Sequence, residues 1–156
     1  MRVSKCTPQD AEHVAKNLRE EDRRECDALL ALPPVLALPL QLRPGRRVYT
    51  LRAEDGVILG MGGVDDSPAM EGLGVVWLVL TNDIKDHRGE FLREGHRWID
   101  AIQRTWPLIT NLVDARNTLH IRWLRWLGFV FTQRIERWGA RSVPFLEFAR
   151  HQSACV

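Results

Sequence analysis

The sequence predicts a mixed α/β domain, and three observations carry that expectation. Val75-Val76-Trp77-Leu78-Val79-Leu80 is continuously apolar, the pattern of a central strand covered on both faces. Glu54-Asp55-Gly56 separates two β-prone runs, Val48 to Ala53 and Val57 to Val64, and Asp-Gly at that place signals a hairpin. Through the second half of the chain, segments of helical period alternate with strands.

Taken in order, Arg2 to Cys6 reads as a short strand. Thr7-Pro8-Gln9-Asp10 supplies a capping hydroxyl, a proline at the first helical position and a carboxylate three residues on. Ala11, Val14, Ala15 and Leu18 then repeat at helical spacing, so a helix runs to about Arg19. A second helix spans about Glu20 to Leu32 and is stopped by Pro33-Pro34. Residues 33–46 read as irregular with one short helical turn, and Gly60, Gly62 and Gly63 predict a bulge or close backbone approach in the second hairpin strand. Asp65 to Gly72 reads as loop. Beyond the central strand, Phe91, Gly95, Trp98, Ile99, Ile102 and Trp106 form one face of a long helix that Pro107 ends. Leu108 to Ala115 is a strand, Asn117 opens a helix to Leu127, and Gly128 caps it. Phe129 to Trp138 and Val143 to Ala149 form a final antiparallel pair. The sheet is therefore mixed and mostly antiparallel, with helices on both faces, in one domain over residues 1–149 followed by a short tail, 150–156.

Composition narrows the function classes. The chain has 156 residues, 45% apolar and 27% charged, enough for one hydrophobic core. It has no signal-like start and no stretch of roughly 18 apolar residues, so a soluble protein without a membrane span is expected. Cys6, Cys26 and Cys155 are widely spaced with no histidine at ligand spacing, so free thiols and no metal site are expected. Seven arginines, from Arg116 to Arg150, are set against only Glu136 and Glu147 in the last 41 residues. No nucleic-acid module accompanies them, so charge alone does not make this a nucleic-acid-binding protein. Trp123 and Trp126 with Arg122 and Arg125, and the apolar run Leu36 to Leu42, are candidate protein-contact surfaces.

Asp114-Ala115-Arg116-Asn117-x-x-His120-x-x-Trp123-Leu124-x-x-Leu127-Gly128-Phe129 resembles the strand, helix and Gly-Phe segment that closes the cofactor site in the GNAT (GCN5-related N-acetyltransferase) superfamily. Leu18-Arg19-x-x-Asp22-Arg23-x-Glu25, Gly62-Gly63-Val64, the Trp77 strand and Asn111-x-Val113 resemble, more narrowly, the small GNAT-like proteins of T7-type short-tailed bacteriophages. That resemblance implies a role in virion assembly or in the virion, with phage assembly proteins or further copies of the chain as partners. It places the protein in the host cytoplasm during infection or in the particle. It also implies an acetyl-CoA site between two splayed strands, made by Trp77, Leu78, Val79 and Leu80, by Asn117, and by Lys85, Arg88 and Gly89 in the phosphate-binding turn.

The chain departs from the superfamily at two places. Where the phosphate turn carries Arg or Gln, then glycine and a second small residue, this chain has Asp83-Ile84-Lys85-Asp86-His87-Arg88-Gly89-Glu90, with one glycine and three carboxylates. Leu124 stands where the superfamily places its proton-donating tyrosine. The remaining candidates for acid–base chemistry are His120, whose ordinary pKa is near neutral, and Asp65, Asp66 and Glu71 in the loop before the central strand. Three functions follow: a phage assembly protein with degenerate transferase chemistry, an active N-acetyltransferase moving an acetyl group from acetyl-CoA to an amine, and, resting only on the C-terminal arginines, a nucleic-acid-binding protein.

Overall fold

The computed structural model describes residues 1–152; Ser153 to Val156, and with them Cys155, lie outside the described residues. Strand β1 (Arg2–Lys5) leads into helix α1 (Pro8–Asn17) through a complete capping box. The Asp10 amide donates to the Thr7 hydroxyl at 3.2 Å, and the Thr7 amide to the Asp10 carboxylate at 3.3 Å. Asp10 is itself buried and also accepts from the Thr50 hydroxyl at 2.9 Å, which ties the start of α1 to the sheet. Helix α2 (Glu20–Leu30) ends two residues before the sequence-based boundary, because Ala31 takes a left-handed conformation and its amide bonds the Asp27 carbonyl. The proline-rich segment holds two short turns in place of one: α3 (Pro34–Ala37) and a 3-10 turn, Pro39–Leu42.

The hairpin forms as expected from β2 (Arg47–Arg52) and β3 (Ile58–Asp66), with Gly56 at φ +93° in the turn. Strand β3 runs to Asp66, so Asp65 and Asp66 belong to the sheet and not to the following loop. Arg46 and Arg47, where β2 begins, pair with these two carboxylates across the hairpin. The glycines of β3 serve close approach: a Cβ at Gly62 would lie 2.6 Å from the Trp77 carbonyl oxygen.

Strand β4 (Leu73–Leu80) follows, then a 3-10 turn at Asn82–Lys85, α4 (Arg88–Gln103), β5 (Leu108–Asp114), α5 (Thr118–Trp126), β6 (Val130–Trp138) and β7 (Val143–His151). The seven strands lie in the order β1-β2-β3-β4-β5-β7-β6, antiparallel except for β4 and β5. Strand β7 continues two residues past Ala149, where the Arg150 guanidinium donates to Gln103 at 2.6 Å and to Asp100 at 3.0 Å. Helices α1 and α2 cover one face, packing Val14, Ala15 and Leu18 on Met61, Trp77 and Val79. Helices α4 and α5 cover the other, packing Ile99, Ile121 and Leu124 on Val76, Ile109 and Val113. Both faces of β4 are thereby shielded, which is why its sequence is apolar throughout.

Strands β4 and β5 are joined only at one end, and Gly74 lies there under Trp106. A Cβ on Gly74 would meet Trp106 Cγ at 2.8 Å and Val64 Cγ2 at 3.0 Å, while the Trp106 indole N–H is fixed by a 2.8 Å bond to Asp66. Gly74→Ala is expected to lower unfolding free energy by about 1–3 kcal/mol through overpacking, measured by urea denaturation.

Candidate functional site

Pairing of β4 with β5 covers Leu73 to Val75 and then stops. At the stopping point the Asn111 amide donates to the Val76 carbonyl at 2.7 Å, and its oxygen accepts the Leu112 amide at 2.8 Å. A side chain thus takes the place of the next ladder bonds, and the strands diverge. The far end of β4 is met instead by the α1–α2 corner: the Leu80 amide donates to Asp22 at 2.8 Å and the Arg19 amide donates to the Leu80 carbonyl at 3.0 Å. Strand alternation sends the N–H and C=O of Leu78 to the same side as those of Leu80, into the gap, where the β4–β5 register offers no partner. A cleft of about 1050 Å³ passes through the sheet here, lined by Trp77 and Val79 from one face and by Leu78, Trp98 and Trp123 from the other.

One end of the cleft holds a buried polar cluster contributed by α2 and α5. Asp22 is 2% exposed and accepts from Arg19 Nε at 2.6 Å, Arg19 Nη2 at 2.8 Å and Asn117 Nδ2 at 3.3 Å, besides the Leu80 amide. Asn117 caps α5 by accepting the His120 amide at 3.2 Å, and its Nδ2 donates to Glu25 at 2.8 Å. Burial pushes the Glu25 carboxyl up to about 8, against the Asn117 hydrogen bond and helped by the Asp22 charge. Burial likewise pushes the His120 imidazole down to about 4, so near neutral pH both groups are uncharged. His120 Nδ1, Trp77 Nε1 and Trp123 Nε1 are buried without a hydrogen-bond partner among the described residues, and all three residues line the cleft.

Of the residues singled out in the sequence, Trp77, Leu78, Val79, Asn117 and His120 come together here, with Leu80 closing the end. His120 is buried and does not stand on an exposed helix flank. Lys85, Arg88 and Gly89 are exposed on the turn into α4 and do not line the cleft. Arg88 Nε bonds the Lys85 carbonyl at 2.9 Å, and a Cβ on Gly89 would make only an ordinary 3.6 Å contact with Arg93. Asp66 sits opposite Gly74 at the closed end of β4, held by Trp106 at 2.8 Å and Arg47 at 3.1 Å, and Glu71 is exposed on the turn beside it. Neither carboxylate faces the gap. Leu124 is in the core. Asp22 and Glu25 were visible only within the resemblance; their own signal is two carboxylates at i and i+3 on the same helix face as the buried Cys26.

The cluster sets a pH dependence. Above about pH 6.5 most of the His120 imidazole is neutral in the folded and the unfolded chain alike. Between there and about pH 8 the unfolded chain has released the Glu25 proton while the folded chain retains it, so stability falls as pH rises through that window. A loss of about 1–2 kcal/mol is expected from pH 6.5 to 8, and Glu25→Gln should flatten it in urea titrations across that range. Asn117→Ala removes a helix cap and the donor to Glu25 together, and should cost about 2–4 kcal/mol by the same measurement.

Comparison with known proteins places this geometry. Among solved structures, spermidine N-acetyltransferase from Vibrio cholerae in complex with CoA and spermine aligns at 13% identity and TM-score 0.71, over 97% of this chain and 95% of that one. A GCN5-related N-acetyltransferase from Kribbella flavida aligns at 16% identity and TM-score 0.65, over 96% of each chain. The protein smu.2055 from Streptococcus mutans aligns at 12% identity and TM-score 0.73, over 98% of this chain and 100% of that one. At these identities the likeness establishes the fold, which is that of the GNAT acetyltransferases. The curated proteins return no match. The family described as bacteriophage T7, probable scaffold protein Gp13, matches residues 50–135, which span β3, β4, the divergence and α5. That is more than half of the sequence, and the chain belongs to this phage Gp13 scaffold-protein family.

Proposed function

We propose that this protein acts in phage virion assembly as a binding module built on an acetyltransferase fold, and that it does not catalyse acetyl transfer. The observation that carries this reading is the turn into α4. A helix N-terminus binds pyrophosphate through free amides and a favourable dipole. Here Asp83 and Asp86 bring two carboxylates to that turn, against the exposed Lys85 and Arg88, while Glu90 beside them is paired with the Met1 ammonium. Each carboxylate about 4 Å from a phosphate charge would oppose binding by about 1 kcal/mol even at the dielectric of water, and by more in a partly buried site. Leu124 adds no proton donor.

A surface suited to protein contact supports the same reading. Leu29, Leu30, Leu32, Val35, Leu36 and Leu40 are each about 40–60% exposed along the end of α2 and the two turns after it. Trp138, 42% exposed, joins them because the turn after β6 docks there: the Ala140 amide donates to the Leu29 carbonyl at 3.1 Å. Contiguous apolar surface of this kind marks a place where another protein sits. Trp126, 45% exposed against His96, presents a smaller patch elsewhere, while Trp123 is turned inward onto Phe91.

The second reading is an active N-acetyltransferase. It is favoured by the unpaired backbone groups of Leu78, placed to hold an acetyl-CoA arm, and by Glu25, whose raised pKa suits proton removal from an amine.

Calorimetric titration with acetyl-CoA separates the two. No heat up to high micromolar ligand is expected; saturable binding that Arg88→Ala weakens would reverse the choice. Leu36→Glu with Leu40→Glu should reduce incorporation into particles at least tenfold in a complementation assay while leaving the melting temperature unchanged. Normal incorporation of that folded double variant would remove the proposed surface.

A further inference from the structure

Glu25 accepts a single side-chain hydrogen bond and His120 Nδ1 has no partner, beside an Asp22 that accepts four. We propose that these three residues bind one divalent first-row transition ion, of the Zn(II) or Mn(II) class, at the end of the cleft between α2 and α5.

Four observations on the molecule support the site. One ligand atom from each of the three side chains lies within 4.8 Å of the other two. An ion bonded to nitrogen and oxygen at about 2.0–2.2 Å holds its ligands roughly 3–4 Å apart, so closing the set takes small side-chain rotations in which Asp22 exchanges one of its four hydrogen bonds for the ion. Second, His120 is 8% exposed and its Nδ1 has no hydrogen-bond partner, although an unsatisfied buried polar atom costs about 1–3 kcal/mol. A coordinated ion supplies the missing partner to the imidazole. Third, the carboxylates are already oriented by groups that are not ligands. Arg19 and the Leu80 amide fix Asp22, and Asn117 Nδ2 reaches both Asp22 and Glu25. Fourth, all three residues line the cleft, so further coordination positions open toward solvent and a bound molecule.

The donor set selects the class of ion. One imidazole with two carboxylates suits Zn(II) or Mn(II), whereas Mg(II) and Ca(II) favour oxygen ligands alone. Two carboxylates with the Arg19 guanidinium and a divalent ion leave a net charge of about +1 in the cluster, shared with the cleft waters. The ion takes the place of the Glu25 proton, which passes to solvent. Cys26 also lines the cleft but is not within the ligand cluster.

The test uses the full chain after chelator treatment, with Co(II) as a spectroscopic stand-in for Zn(II) and no acetyl-CoA present, so its result is independent of the transferase question. Co(II) should bind at one equivalent with d–d absorption and no sulfur charge-transfer band, and Zn(II) should displace it. Glu25→Gln and His120→Asn should each weaken binding at least tenfold, while His13→Asn, on the exposed face of α1, should not. Because either cluster variant can unfold, the unaltered protein carries a second readout. The Trp123 ring lies 5.5 Å from the His120 ring, so substoichiometric Mn(II) should broaden the Trp123 indole N–H signal in NMR before that of Trp106 at the closed end of β4. Absence of saturable binding below millimolar Co(II), a sulfur charge-transfer band, affinity unchanged in both folded variants, or broadening at Trp106 first would each overturn the proposal.

Discussion

The separation of β4 from β5 is the constraint from which the rest of this structure follows. Two parallel strands of this length would ordinarily pair along their whole extent, satisfying each backbone amide in turn. Here pairing ends at Val75 and Thr110, and the Asn111 side chain occupies the place of the next bonds. Every backbone group beyond it needs a partner from outside the sheet. Asp22 and the Arg19 amide satisfy Leu80, and Leu78 is left facing the cleft. A sheet interrupted in this way cannot be closed by apolar packing alone, because its exposed amides demand polar neighbours.

That demand explains why Asp22 lies in the interior, with the half-buried Glu25 beside it. Asp22 is buried with four hydrogen-bond donors around it, which offsets the desolvation of its charge. Glu25 has one such donor and resolves the conflict differently, by holding its proton. Asn117 joins the two solutions, since one amide serves as helix cap to α5 and as donor to both carboxylates. A network in which each member has several duties is costly to disturb at any point.

Much of this fold was legible in the sequence where local chemistry decides. The capping box at Thr7, the Asp-Gly turn, the apolar run of β4 and the glycine after α5 each act within a few residues, and each forms as read. The boundaries that moved are those set by distant partners. Strand β3 gains Asp65 and Asp66 because arginines on the neighbouring chain segment hold them, and β7 gains Arg150 and His151 because α4 offers Gln103 and Asp100. The polar cluster was the least legible part for the same reason: Asp22 and Glu25 lie some ninety residues from Asn117, so no spacing rule joins them. The phosphate turn was readable as a sequence, yet only the structure shows Lys85 and Arg88 exposed and outside the lining of the cleft.

Helix α2 is held at both ends by parts of the chain made much later. Its first turn waits for Leu80 and Asn117, and its last turn is clasped by the β6–β7 turn, where Gly139 at φ +70° passes so close to α2 that a Cβ would lie 2.5 Å from the Ala28 carbonyl oxygen. On the ribosome, this acidic helix can pack early through Cys26 on α1 and the first strands, but its last turn stays unclasped until the β6–β7 turn has emerged. A product ending before the β6–β7 turn would lack that clasp, and one ending before Asn117 would also leave Glu25 without its side-chain donor.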